Sequence, residues 1–239
     1  MSARPPRRRA PRPILLIGGG DRRARKGPDP LLEAAFAQAD AARPSVAYVG
    51  AASDDDRTFF RWISDAFRRS GADEVRLAAL ASRRADVAEA KAVLAASDIV
   101  FVSGGDVEAG MAHLERHALV RYLADLHRAG KPFFGVSAGS IMLARCWVRW
   151  GDSHDDASAA LFPCLGLAPV VCDTHAEDDG WEELRVLLEL AGDGVGYGIP
   201  TGGALRVEPD GSVTALGRPA VRLTSSAGRL AGSGELVPS

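Results

Sequence analysis

The chain reads as an α/β protein with a doubly wound, mostly parallel sheet, helices on both faces and a small C-terminal β extension. Three observations predict this. Strand-like apolar runs alternate with helix-like stretches over residues 14–190, the pattern of repeated β-α-β units. Several of those runs end in glycine-rich turns (Gly18-Gly19-Gly20, Gly50, Gly104-Gly105), where parallel sheets place their ligands. After residue 194 the texture changes to short β-like runs without intervening helices.

Taken in order, residues 14–17 form a buried strand and 30–39 a helix that Asp29 can cap. Residues 45–49 are the next strand, followed by the turn-like 50–54. Residues 57–70 form an amphipathic helix with Phe59, Phe60, Ile63 and Phe67 on one face. A strand at 74–77, a helix at 85–96 and a strand at 99–102 follow, the last running into Ser103-Gly104-Gly105-Asp106. The helical stretch 107–129 breaks near His117. Residues 132–136 are a strand, and 170–175 are an apolar strand-like run before a helix at 181–190. Short strands are expected at 195–199, 204–207, 213–216 and 221–224, with Pro209-Asp210-Gly211-Ser212 as a hairpin turn and the last few residues fraying. The organisation expected is a disordered basic tail over residues 1–12 and one α/β domain over 13–239.

Composition narrows the function. The 239 residues are 46% hydrophobic and 25% charged, the balance of a soluble globule, and no apolar run is long enough to span a bilayer. The net charge is −2, yet the first 13 residues hold five arginines and no acid, leaving −7 for the rest. An acidic globule is a poor nucleic-acid or membrane binder. Cys146, Cys164 and Cys172 show no C-x-x-C spacing, which argues against a disulfide framework or zinc site and for reduced thiols in the cytoplasm. The cluster Gly18–Asp21 fails the dinucleotide fingerprint because Arg23 stands where the third glycine belongs, and there is no P-loop. No metal or cofactor is expected. The expected partners are a small peptide or amide substrate and, at most, a second copy of the chain.

The most informative stretch is Gly135-Val136-Ser137-Ala138-Gly139, a strand running through a sharp turn into a helix with serine at the tip. This is a nucleophile elbow, and only small neighbours fit its strained backbone. A serine nucleophile needs a base and an orienting acid. His175, at the end of a strand-like run, is the preferred base, with His154 in a polar loop as competitor. Asp152, Glu177 and Asp173 are candidate acids. The N–H of Ala138 and a second donor from the Gly104-Gly105 loop would form an oxyanion hole.

This ordered set resembles the dipeptidase E/cyanophycinase family, serine peptidases with a class I glutamine amidotransferase-like (flavodoxin-like) fold, over about residues 13–223. The resemblance implies Ser137 as nucleophile, His175 as general base, and Gly105 and Ala138 as oxyanion donors. It implies an acid at Asp152, by its position between serine and histidine, or at Glu177, two residues after the histidine as in glutamine amidotransferases. Gly104, Asp106, Arg145, Arg149 and Arg185 are the substrate-binding candidates. Two positions depart from the family. Thr201 replaces a glutamate in Gly198-Ile199-Pro200-Thr201-Gly202, and the acidic run Glu177-Asp178-Asp179 stands where an arginine would read an acidic substrate side chain. The reading is a serine hydrolase cleaving a dipeptide or related amide through a Ser-His-acid triad and an acyl-enzyme. The alternative is an inactive or regulatory ligand-binding member of the same fold.

Overall fold

The computed structural model describes residues 10–19, 27–151 and 156–238. Five parallel strands form the centre of the main sheet: β1 (Ile14–Ile17), β2 (Val46–Val49), β3 (Val75–Ala78), β4 (Ile99–Val102) and β5 (Phe133–Val136). Four of them are buried throughout or nearly so, which is why they read as continuous apolar runs rather than as alternation. Two strands from the C-terminal region, β10 (Gly203–Val207) and β11 (Val213–Gly217), extend this sheet in antiparallel fashion beside β1, giving the order β11-β10-β1-β5-β4-β2-β3.

Helices cover both faces. On one, α1 (Pro30–Phe36) and α2 (Arg57–Arg69) pack Leu32, Phe36 and Phe67 against Leu15, Ile17, Phe101 and Phe134. Phe67 lies at the centre of this layer, edge-on to Phe36 and Phe101 with ring centroids 5.6 and 4.8 Å away. On the other face lie α3 (Val87–Ala96), α4 (Val107–Arg116), α5 (Val120–Arg128) and α6 (Ala138–Leu143), packed against Leu16, Val49, Val102 and Phe133. The break expected near His117 falls between α4 and α5. Side chains of Asp29, Asp56, Asp86 and Asp106 cap α1 to α4, each accepting a backbone N–H of the first turn. Among the described residues no helix is long and apolar enough to cross a membrane.

The C-terminal third is more elaborate than the sequence suggests. A hairpin, β6 (Cys146–Trp150) with β7 (Ala159–Pro163), follows α6. A second sheet, ordered β13-β12-β9-β8, comprises β8 (Val171–Thr174), β9 (Gly194–Ile199), β12 (Ala220–Ser226) and β13 (Arg229–Leu236), backed by α7 (Glu182–Ala191). Residues 229–236, not singled out as a strand in the sequence, pair along β12. The polar Ser-Gly pattern of β13 carries no period-2 signal, and its register against β12 holds it in place. Residues 1–9 of the basic tail lie outside the described residues. Arg12 is tied down, with its guanidinium on the Gln38 carbonyl and 2.5 Å from Asp40 Oδ2, and its own carbonyl 2.9 Å from His127 Nε2.

Candidate active site

Ser137 sits at the junction of β5 and α6 with φ 55° and ψ −128°. A non-glycine residue in such a conformation stores about 1–3 kcal/mol, so its surroundings must over-determine it. They do. Ile17 O accepts from both Ser137 N (2.9 Å) and Ser140 Oγ (2.9 Å), and Ser137 O accepts from Ser140 N (2.8 Å). The elbow is thus bolted to the end of β1. The glycines around it are required by close approach. A Cβ on Gly139 would lie 2.0 Å from Val102 O, and one on Gly135 would lie 2.5 Å from the Gly139 carbonyl.

His175 reaches the elbow from the second sheet. It follows β8 in a left-handed conformation (φ 45°), and its N–H donates to Ile199 O at 2.9 Å. Its Nε2 lies 2.7 Å from Ser137 Oγ. With Nε2 as acceptor, the ring proton belongs on Nδ1; among the described residues none accepts a hydrogen bond from Nδ1. Asp152 and the competing His154 lie outside the described residues. Glu177 is exposed, and its Oε1 accepts from Thr201 N at 2.7 Å. This bond joins the loop after β8 to the loop after β9, on the position where Thr201 departs from the family pattern.

The second glycine loop comes up against Ser137. A Cβ on Gly104 would lie 3.2 Å from Ser137 Cβ. Gly105 has φ 142°, and a Cβ there would lie 1.9 Å from Ala52 O. Asp106 N donates to the same Ala52 carbonyl at 2.7 Å, and Ser53 Oγ sits 3.3 Å from Ser103 Oγ, so the loops after β2 and β4 hold one another. Among the described residues neither Gly105 N–H nor Ala138 N–H has an acceptor. Both donors are therefore free for a ligand beside Ser137.

A cavity of about 680 Å³ opens at this point, and Ser137, His175, Gly104, Gly105 and Thr201 line it. The other expected substrate contacts are placed elsewhere. Asp106 caps α4, accepting from Ala109 N at 2.8 Å. Arg149 faces Glu108 at 3.7 Å and lies over the Phe162 ring. Arg185 Nε donates to Gly180 O at 2.9 Å, and Arg145 N donates to Val170 O. None of these three arginines lines the cavity. The wall is supplied instead by α2, through Phe59, Trp62 and Ile63. The amphipathic period of α2 is legible in the sequence, but it cannot separate residues that bury against the sheet from residues that line a cleft.

Behind His175 lies a buried acid. Asp173, on β8, accepts from Thr174 N at 2.7 Å through Oδ1, while among the described residues Oδ2 has no partner. Burial pushes its carboxyl up to about 7; the Thr174 N–H opposes this, and the negative charges of Glu183, Asp179 and Glu177 reinforce it. Glu183 is raised in the same way by burial, against the pull of its bond from Trp147 Nε1 (3.1 Å). The thiols of Cys164, pushed up to about 12, and of Cys172, raised well above its usual value by full burial, are poor nucleophiles.

Comparison with known proteins agrees with this fold. No curated protein matches the chain by sequence. Among solved structures it is similar to a peptidase from an acI-B1 Actinobacterium, with a TM-score of 0.73 and 16% identity over 96% of this chain and 95% of that one. It is also similar to a putative peptidase E protein from Listeria monocytogenes EGD-e, with a TM-score of 0.65 and 18% identity over 87% of this chain and 99% of that one. At those identities the likeness is one of fold. The sequence signature of peptidase family S51 matches residues 14–214, and the chain belongs to that family of serine peptidases.

Proposed function

We propose that the protein hydrolyses a short peptide by acyl transfer through Ser137. The observation that carries this is the 2.7 Å contact between Ser137 Oγ and His175 Nε2, made beside two free backbone donors. Ser137 Oγ attacks the carbonyl carbon of the scissile amide as its proton passes to His175 Nε2. The carbonyl oxygen takes up the negative charge between the N–H groups of Gly105 and Ala138. His175 then gives the proton to the leaving nitrogen, the C–N bond breaks and the acyl group remains as an ester on Ser137. Water attacks that ester, its proton passing to His175 and on to Ser137 Oγ, and the acid is released. The product amine and acid balance one water consumed. The same contact favours catalysis over a purely ligand-binding role.

Asp152 and Glu177 are the two carboxylates proposed to steady the Nδ1 side of His175. The assay is a dipeptide library screen combined with fluorophosphonate labelling. Wild type should label and Ser137→Ala should not, with hydrolysis lost in parallel. Asp152→Asn and Glu177→Gln, assayed side by side, assign the orienting acid to whichever loss lowers kcat more. A Ser137→Ala protein that hydrolyses as fast as wild type would refute the mechanism.

A further inference from the structure

We infer that the cleft beside Ser137 takes a bulky apolar side chain, aromatic by preference, from a residue flanking the scissile amide, and discriminates against an acidic one. This rests on the acyl-transfer reading of Ser137 and names the substrate class for it. The cavity is continuous with the reacting groups, since Ser137, His175 and Gly105 belong to its lining. Beyond them the lining is mixed, with Asp29, Ser53, Arg69 and Ser70 among it, but Phe59, Trp62 and Ile63 of α2, with Ile17 and Val136 at the strand ends, give it an apolar part.

The position of that wall follows from the fold. Helix α2 is capped by Asp56, three residues after Ser53, and the Ser53 hydroxyl meets Ser103 next to Gly104. The first turns of α2 therefore stand over the oxyanion loop. Trp62 is 51% exposed, and among the described residues it is the only aromatic side chain with so much open surface. It stacks on Phe59 with ring centroids 6.1 Å apart and planes inclined by 24°. Such a pair presents a flat, stiff apolar face, which a phenyl or indole ring covers well and a carboxylate does not. Covering it removes apolar surface from water on both partners.

Charge points the same way. Arg69 is the only cation among the described lining residues. It lies about 15 Å along the α2 axis from Phe59, at 1.5 Å per residue. Glu177, Asp178 and Asp179 begin two residues after His175, so the charge in the loop beyond the base is negative. Among the described residues a substrate carboxylate would meet this negative charge, with Arg69 as the only cation lining the cleft.

The test uses the full chain and two matched peptide sets, X-Leu and Leu-X, with X as Phe, Leu, Ala or Asp. The readouts are kcat/KM and, separately, fluorophosphonate labelling. In at least one set the Phe peptide should exceed both the Ala and the Asp peptide by about 10- to 100-fold, the worth of burying one large apolar side chain. Trp62→Arg places a cation on the wall at an exposed position, and its melting temperature checks the fold. It should raise the Asp-to-Phe ratio of kcat/KM by 10-fold or more, a gain that misfolding cannot produce. Normal labelling with equal rates across X, or with Asp preferred, overturns the inference and leaves acyl transfer standing. So does a folded Trp62→Arg protein with an unchanged ratio. Absence of both labelling and hydrolysis in wild type overturns the acyl-transfer reading, and the inference with it.

Discussion

Asp173 makes the stability of this protein depend on pH in a way that one substitution should remove. The side chain is 4% exposed, Oδ1 takes the Thr174 N–H, and Oδ2 has no partner among the described residues. Its carboxyl is raised from 3.8 to about 7, chiefly by burial. The sign follows from proton counting. Between about pH 4 and 7 the folded chain keeps a proton on Asp173 that the unfolded chain has lost. Folded stability therefore falls as pH rises through that window and levels off above it. A shift of about 3 units corresponds to about 4 kcal/mol at the alkaline end. In Asp173→Asn the Oδ1 bond to Thr174 survives and the charge is gone, but the new amide N–H₂ takes the place of Oδ2 without an acceptor, at a cost of about 1–3 kcal/mol. At pH 8 the variant should be more stable than wild type by about 1–3 kcal/mol, a rise of several degrees in Tm for a chain of this length. At pH 5, where the wild-type carboxyl is already neutral, the two should agree within about 1 kcal/mol. The assay is urea or thermal unfolding of both proteins at the two pH values. Taking the difference removes the titration of the other carboxylates, Glu183 included. A difference that does not change between pH 5 and pH 8 would refute the reasoning.

Two further outcomes follow from packing. Gly105→Ala puts a methyl 1.9 Å from Ala52 O at a backbone φ of 142°, so the loop must shift and carry its N–H away from the position proposed for the oxyanion. The expected result is a fall in kcat of about 100- to 1000-fold in protein that still folds, read against Tm. Phe67→Ala, at a side chain 1% exposed among Phe36, Phe101 and Phe134, should cost about 3–5 kcal/mol in urea unfolding. A loss under 1 kcal/mol would mean that the α1–α2 layer is not the packed core described above.

What could be read from the sequence was what is local. The elbow at Ser137 is written in small residues because contacts of 2.0–2.5 Å await any Cβ at Gly135 or Gly139. The parallel strands are written as apolar runs because both their faces are covered. The caps at Asp29, Asp56, Asp86 and Asp106 are likewise short-range. What could not be read depends on pairings distant in sequence. Residues 203–217 join the sheet begun at Ile14, while residues 194–199 and 220–236 join β8 in another sheet. No local period decides between those destinations. The outcome matters chemically, because Ser137 and His175 are carried by different sheets. Ser137 is fixed to β1 through Ile17 O, and His175 to β9 through Ile199 O. At the same level the end of β1 is held to the start of β10, where Gly18 N donates to Gly203 O and Gly202 N to Gly19 O. A Cβ on Gly18 would lie 2.4 Å from Pro200 O, so a side chain there would pry the sheets apart. Gly18, in the cluster that invites a nucleotide-binding reading, is thus explained by its close approach to the end of β9, where Ile199 O also holds His175 N. The substrate-facing wall was hidden for a different reason. In a sequence, Phe59 and Ile63 look the same whether they fill a core or line a cleft, and only the exposed Trp62 beside them marks the cleft.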